Sequence, residues 1–275
     1  MFPVGESYIR SQFELFGDNL LSSINGRNKE YIHNYRIAAK RIQTITRLAG
    51  KWKSGNDLQR KFRQSGIMKM FKSGGRIREI VLIRQNLRLA EAPLHMHFPS
   101  FARLIARDRR IAAANFENEW AAFSYERFFN LEFALLKIFR DSPEKKTIRY
   151  LKKFIGSRLG RIMELIDTGR LNERLHLARK YLKDLKYCME FRDLKSEDDG
   201  KIKLVYSRIN YLEDQIGLWH DNFIFSRYLD QFSRHEDHAW RSDDPYAPLQ
   251  FITSKRLEAL KLQTAAMIRK TFTEH

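Results

Sequence analysis

Apolar residues return at three- and four-residue intervals through most of this chain, and strand-like alternation is scarce. From Tyr31 to Gly50, the residues Tyr35, Ala39, Ile42, Ile45 and Ala49 share one side of a helix. Ala178, Tyr181, Leu182, Leu185 and Met189 do the same later. The pattern predicts helices over 6–24, 28–50, 57–91 and 99–140, then over 144–169, 171–193, 200–233 and 251–272. Breaks fall at Asn25-Gly26, Ala92-Pro93, Phe98-Pro99, Asp141-Ser142-Pro143 and the acidic turn from Ser196 to Gly200. Gly74-Gly75 marks a kink or division in the third helix, and 235–250 reads as an ordered surface loop. Ser142 is expected to cap a helix that begins at Pro143 and carries Glu144 in its first turn. The class is all-α. Short connections make successive helices antiparallel neighbours, so four plus four gives two four-helix bundles, 1–142 and 143–275, within a single 1–275 domain.

Composition adds a direction to this picture. With 51 Lys and Arg against 33 Asp and Glu, the formal net charge is +18. Self-repulsion of that size favours a polyanionic partner over a merely soluble basic surface. The single cysteine, Cys188, excludes an intramolecular disulfide and a cysteine-rich zinc site, and a reducing cytoplasm is the expected setting. No apolar run approaches the roughly 18 residues of a membrane span, and the N-terminus lacks a signal-peptide pattern. The chain is therefore expected to be soluble and unprocessed, with no membrane partner.

The charge is patterned as well as abundant. His33, Arg36 and Lys40 reappear as His176, Arg179 and Lys183, each 143 positions on (176 − 33). Gly75-x-x-Arg78-Glu79 has a counterpart in Gly217-x-x-His220-Asp221, 142 positions on (217 − 75). At about 100° per residue, each His-x-x-Arg-x-x-x-Lys fills a sector of about 60° opposite the apolar face. Lys186 extends the second stripe. From Tyr31 to Gly50 no acid opposes Arg36, Lys40, Arg41 and Arg47, although a solvated helix face usually mixes signs. Arg78, Gln85 and Arg88 share a face of the third helix, as His220 and Arg227 do on its counterpart. Such stripes fit anion recognition. Glu79 and Asp221 are expected to orient these cations rather than act as catalytic acids, and Gly75 and Gly217 to allow close helix approach or a bend.

His33 and His176 have three readings: satisfied half-buried histidines, metal ligands, or donors to phosphate. No His or acidic residue lies four positions from either, and cations flank both, which argues against metal. Among phosphate oxygens an imidazole tends to protonate and donate from both nitrogens, the favoured role here.

These segments resemble the conserved histidine α-helical domain, or CHAD domain, family. Tyr31 to Leu48, YIHNYRIAAKRIQTITRL, is similar to that family's first signature. Leu175 to Glu190, LHLARKYLKDLKYCME, is similar to its second, with Lys186-Tyr187 near the close. The resemblance implies two four-helix bundles about a pseudo-two-fold axis, with a basic central groove or pore that binds inorganic polyphosphate. It also implies association with polyphosphate granules or polyphosphate-metabolising enzymes. His33, Arg36, Lys40, Arg41, Arg78, His176, Arg179, Lys180, Lys183, Lys186 and Tyr187 match its motif positions; Arg41 and Lys180 point away from the main stripes. Gln43, Glu79, Asp184 and His220 depart from the family pattern.

Three classes of function compete. A polyphosphate reader needs many donors along a groove and no catalytic base. A binder of RNA or single-stranded DNA shares the charge but needs aromatics among the exposed cations, whereas here they fall mainly on the apolar faces; it is the runner-up. An enzyme is disfavoured, since no Walker loop, nucleophile elbow or zinc signature appears. Glu117-Asn-Glu119-Trp-Ala121 lacks the lysine of a triphosphate-tunnel strand. The expectation is non-catalytic binding without cofactor or metal.

Overall fold

A computed structural model of the protein describes residues 3–26, 28–50, 55–191, 200–235 and 245–273. Among them there are ten helices and no strand: α1 (Pro3–Gly26), α2 (Lys29–Ala49), α3 (Gly55–Gln64), α4 (Ile67–Leu94), α5 (Pro99–Ala121), α6 (Tyr125–Arg140), α7 (Glu144–Asp167), α8 (Leu175–Phe191), α9 (Gly200–His235) and α10 (Ala247–Thr273). The all-α class holds. The acidic turn at 196–199 and the stretch 236–244 lie outside the described residues.

Two predicted helices are each divided. The 57–91 segment breaks at Gly66, whose φ of 78° ends one helix and starts the next. A Cβ there would meet the Phe123 ring at 2.9 Å, so glycine suits both the backbone and the space. Gly74-Gly75, the expected break, lies inside an unbroken α4. The 99–140 segment breaks near Ser124, which caps α6 by accepting from the Arg127 N–H at 3.3 Å. Ser142 does not cap α7. Its hydroxyl donates to the Ile138 carbonyl at 2.7 Å and so closes α6, while Pro143 precedes α7 without a side-chain cap.

The core forms two clusters. The larger joins α1 to α6 to the first half of α7, the later turns of α8 and α9 and the start of α10, with Phe13, Phe16, Tyr35, Phe101 and Phe128 among its largest members. The smaller joins the rest of α7, α8 and α9 to α10 around Ile162, Leu182, Ile216 and Ala265. The larger cluster thus draws residues from both sides of Pro143. Cys188 is buried within it as a free thiol. No helix among the described residues is long and apolar enough to cross a membrane.

α2 and α8 touch where the two clusters meet, and their apolar faces are turned inward. Tyr35, Ala39, Ile42, Ala178, Leu182 and Leu185 are at most 1% exposed. The basic stripes are left on the remaining faces, where His176 is exposed and His33, Arg36, Lys40, Arg179, Lys183 and Lys186 are half-buried.

A candidate anion site between the repeated helices

On α2, burial and helix packing fix the geometry of each cation. Arg36 donates from Nη1 to the Phe71 carbonyl of α4, and its guanidinium lies 4.1 Å from the centre of the Phe71 ring. Lys40 lies over the same ring at 4.4 Å and donates to Gln43 Oε1 at 3.2 Å. Gly75 makes this approach possible, because a Cβ there would collide with Arg36 Nη1; at Gly74 it would collide with the Tyr35 hydroxyl. Gly217 faces open space, so it plays no such part in α9.

His33 Nδ1 lies 2.7 Å from Arg78 Nη1. A guanidinium can only donate, so Nδ1 accepts and the imidazole carries its proton on Nε2. Burial lowers the His33 pKa, and the cations Arg78, Lys183 and Arg36 lower it further. The expected doubly donating imidazolium is therefore not the free protein's state; His33 is neutral there and offers one donor. On α8, His176 packs against Trp219 and Phe223, with ring centres at 4.8 and 4.7 Å, and lies 5.5 Å from the His220 ring. Its pKa is also lowered, by burial and then by His220, Arg179 and Arg227. Each signature histidine thus faces the residue three places beyond the repeated glycine, Arg78 or His220.

The two stripes act on one another. Lys183 and Glu213 of the later helices influence His33, Arg179 influences Arg36, and Lys183 influences Lys40. Burial, then Arg47, Lys183 and Arg36, push the Lys40 ammonium down to about 8. Burial also lowers Arg36, Arg179 and Lys183. Most telling are two matched donors: Arg36 Nε and Arg179 Nε are both buried with no hydrogen-bond partner among the described residues. The His220 Nδ1 is buried without one as well, lying 3.6 Å from Asp221. Burying such donors unpaired costs about 1–3 kcal/mol or more each, a cost that an incoming anion's oxygens would offset.

Acids from neighbouring helices claim several other cations. Arg41 bonds to Glu190 at 2.7 Å and to Gln12 at 3.2 Å. Arg47 pairs with Asp184 at 3.3 Å, and Arg158 holds the other oxygen of Asp184 at 2.8 Å. Asp184 and Glu190 are only 3% and 5% exposed. Lys183 and Lys186 share Glu213 at 2.6 and 3.0 Å. The acid-free stripe seen along Tyr31–Gly50 is thus completed by carboxylates from α8, and Arg41 and Arg47 are helix-to-helix ties. Tyr187 is buried, its ring 5.9 Å from Arg41, and belongs to that packing. Lys180, Arg88 and Arg227 are exposed; Arg227 lies over the Phe223 ring at 5.9 Å, and Arg88 lines a cleft between α2, α4 and α5 that His33 and Arg78 also line. Glu79 approaches Arg76 at 3.9 Å. Among the described residues no cluster of three or more His, Cys, Asp or Glu could hold a metal ion.

The sequence reading missed Phe71, Glu213 and the acid role of Glu190. A signal existed for two of them: Phe71 and Glu213 stand four places before Gly75 and Gly217, so they are equivalent positions in the repeat (213 − 71 = 142). One supports its stripe with a ring, the other with a carboxylate. The ion pairs also cross reciprocally, since positions 41 and 47 correspond to 184 and 190 at the offset of 143, and Arg41 meets Glu190 while Arg47 meets Asp184. Both ties thus join α2 to α8 at positions that the sequence offset relates.

The family model of the CHAD domain matches residues 7–230. The chain is a member of the CHAD domain family. It is also similar to a solved structure, the crystal structure of the CHAD domain from the plant Ricinus communis, at 16% sequence identity and a TM-score of 0.66. The match covers 99% of this chain and 91% of that one. No curated protein sequence matches it. For a CHAD domain, both signature segments lie within the matched residues, and both contribute to the site described above.

Proposed function

We propose that this CHAD domain binds inorganic polyphosphate, without catalysis, where α2, α4, α8 and α9 meet. The observation that carries the reading is the matched pair of buried, unpartnered Nε–H donors on Arg36 and Arg179. Around them stand His33, Lys40, Arg78, His176 and Lys183, so successive phosphates would meet donors from both stripes. The reciprocal ion pairs support treating the stripes as two walls about a local two-fold. A line of phosphates gains from displacing counterions along such a wall and needs no base-stacking aromatics. Granule association or service to polyphosphate-metabolising enzymes would follow from that binding.

Titration with long-chain polyphosphate and with single-stranded DNA of matched length, across a salt series, tests this. Replacing both Arg36 and Arg179 with Ala is expected to weaken polyphosphate binding at least tenfold and to flatten its salt dependence. Full affinity in a folded double variant would remove the site assignment. Equal or tighter binding of DNA would favour the nucleic-acid reading instead.

A further inference from the structure

A recess of about 1160 Å³ lies between the start of α2, α4 and α5, and its lining includes His33 and Arg78, which it shares with the anion site. Its character differs from the anion site. Ile32, Ile77, Ile80, Val81 and Ile105 form an apolar floor. The α5 wall is built from Ala102, Ala106 and Ala113, whose short side chains leave the space open. Arg84 and Arg88 on α4 and Arg109 and Arg110 on α5 line the rim, and Glu30 is the one acid in the lining. None of these four arginines makes a hydrogen bond or ion pair among the described residues, whereas neighbouring Arg76 and Arg107 both reach Asp108.

Chain geometry sets the four unpaired arginines apart from Arg78, which is tied to His33 beside Ile32 and Ile77. α4 ends at Leu94 and α5 starts at Pro99, so Arg84 and Arg109 each stand ten residues from that turn (94 − 84, 109 − 99). They sit at one level, with Arg88 nearer the turn and the Ile77 and Ile32 floor farther from it. An inorganic polyanion gains nothing from such a floor, and a neutral apolar molecule leaves four like charges unrelieved. We infer that this recess binds a free single-chain amphiphilic anion, its carboxylate or phosphate head at the Arg84/Arg109 level and its acyl chain over Ile80, Ile77 and Ile32. The inference does not rest on the polyphosphate reading.

Calorimetric titration with dodecyl phosphate and laurate, below micelle-forming concentrations, tests it. One saturable site per chain is expected, with octyl phosphate bound more than tenfold more weakly, since each methylene contributes about fourfold. Neutral-headed dodecyl maltoside should also bind at least tenfold more weakly. The pair Arg84→Glu/Arg109→Glu is expected to erase the preference for an anionic head, and Ala113→Phe, level with Ile80, to occlude the chain; Arg84 and Arg109 are exposed and Ala113 lines the recess wall, so circular dichroism should stay unchanged. Arg36→Ala/Arg179→Ala should keep amphiphile binding, which separates failure here from failure of the anion site. Equal affinity for the neutral head, affinity unchanged in both recess variants, or binding to anionic phospholipid vesicles alone would overturn the proposal.

Discussion

At the scale of single residues, the four arginines of the two signature helices divide into two duties. Arg36 and Arg179 keep an unpaired buried donor, while Arg41 and Arg47 spend their charge on Glu190 and Asp184. Arg179→Ala alone is therefore expected to weaken polyphosphate binding about tenfold, and Lys180→Ala to leave it within twofold, as read by titration at fixed salt. The histidines add a pH dependence. Burial and neighbouring cations hold both His33 and His176 below the ordinary imidazole value. Between folded and ordinary values the unfolded chain binds more protons, so stability of the free protein rises with pH through that interval. Binding has the opposite sense, because phosphate oxygens favour the protonated rings. Polyphosphate affinity should increase as pH falls from 8 to 6, with proton uptake on binding, and His33→Asn/His176→Asn should flatten that profile.

Helices are where the sequence was most and least legible. The apolar period located nearly every helix, because Tyr35, Ala39, Ile42, Ala178 and Leu182 repeat on one face and all are buried. The break at Gly66 was not legible, since a left-handed glycine looks no different in sequence from Gly74 and Gly75, whose role is contact rather than a break. Partner acids were invisible for a similar reason: Glu190 and Glu213 lie far from Arg41 and Lys183 in sequence, and only packing joins them. The glycine pair gives a sharp contrast. Gly74→Ala forces a methyl against the fully buried Tyr35 ring and is expected to cost about 1–3 kcal/mol in urea unfolding. Gly75→Ala meets only the end of a flexible arginine, and about 1 kcal/mol of helix propensity offsets it. That variant should stay stable yet bind polyphosphate more weakly, because Arg36 is displaced. Arg41→Ala behaves oppositely: it leaves the buried Glu190 carboxylate without its cation, held only by the Tyr206 and Tyr8 hydroxyls, and should destabilise by about 3 kcal/mol while leaving affinity little changed.

For the molecule as a whole, a net charge of +18 on 275 residues is a standing self-repulsion that ion pairs between helices only partly relieve. Saturating polyphosphate should raise the melting temperature of the free protein by an amount equivalent to about 2.7 kcal/mol at a hundredfold excess over Kd, and Arg36→Ala/Arg179→Ala should lose that rise. The walls of the site are not equal, however. Arg36 and Lys40 rest on the Phe71 ring, whereas Lys183 and Lys186 hold Glu213. Burial favours the neutral carboxyl of Glu213, but the two lysines outweigh it and bring its pKa down to about 2. Glu213 is thus a resident counter-ion, and occupancy of the second wall is an exchange of one anion for another. Glu213→Gln should lower the melting temperature and tighten polyphosphate binding together, a trade in which the free fold and its ligand draw on the same two lysines.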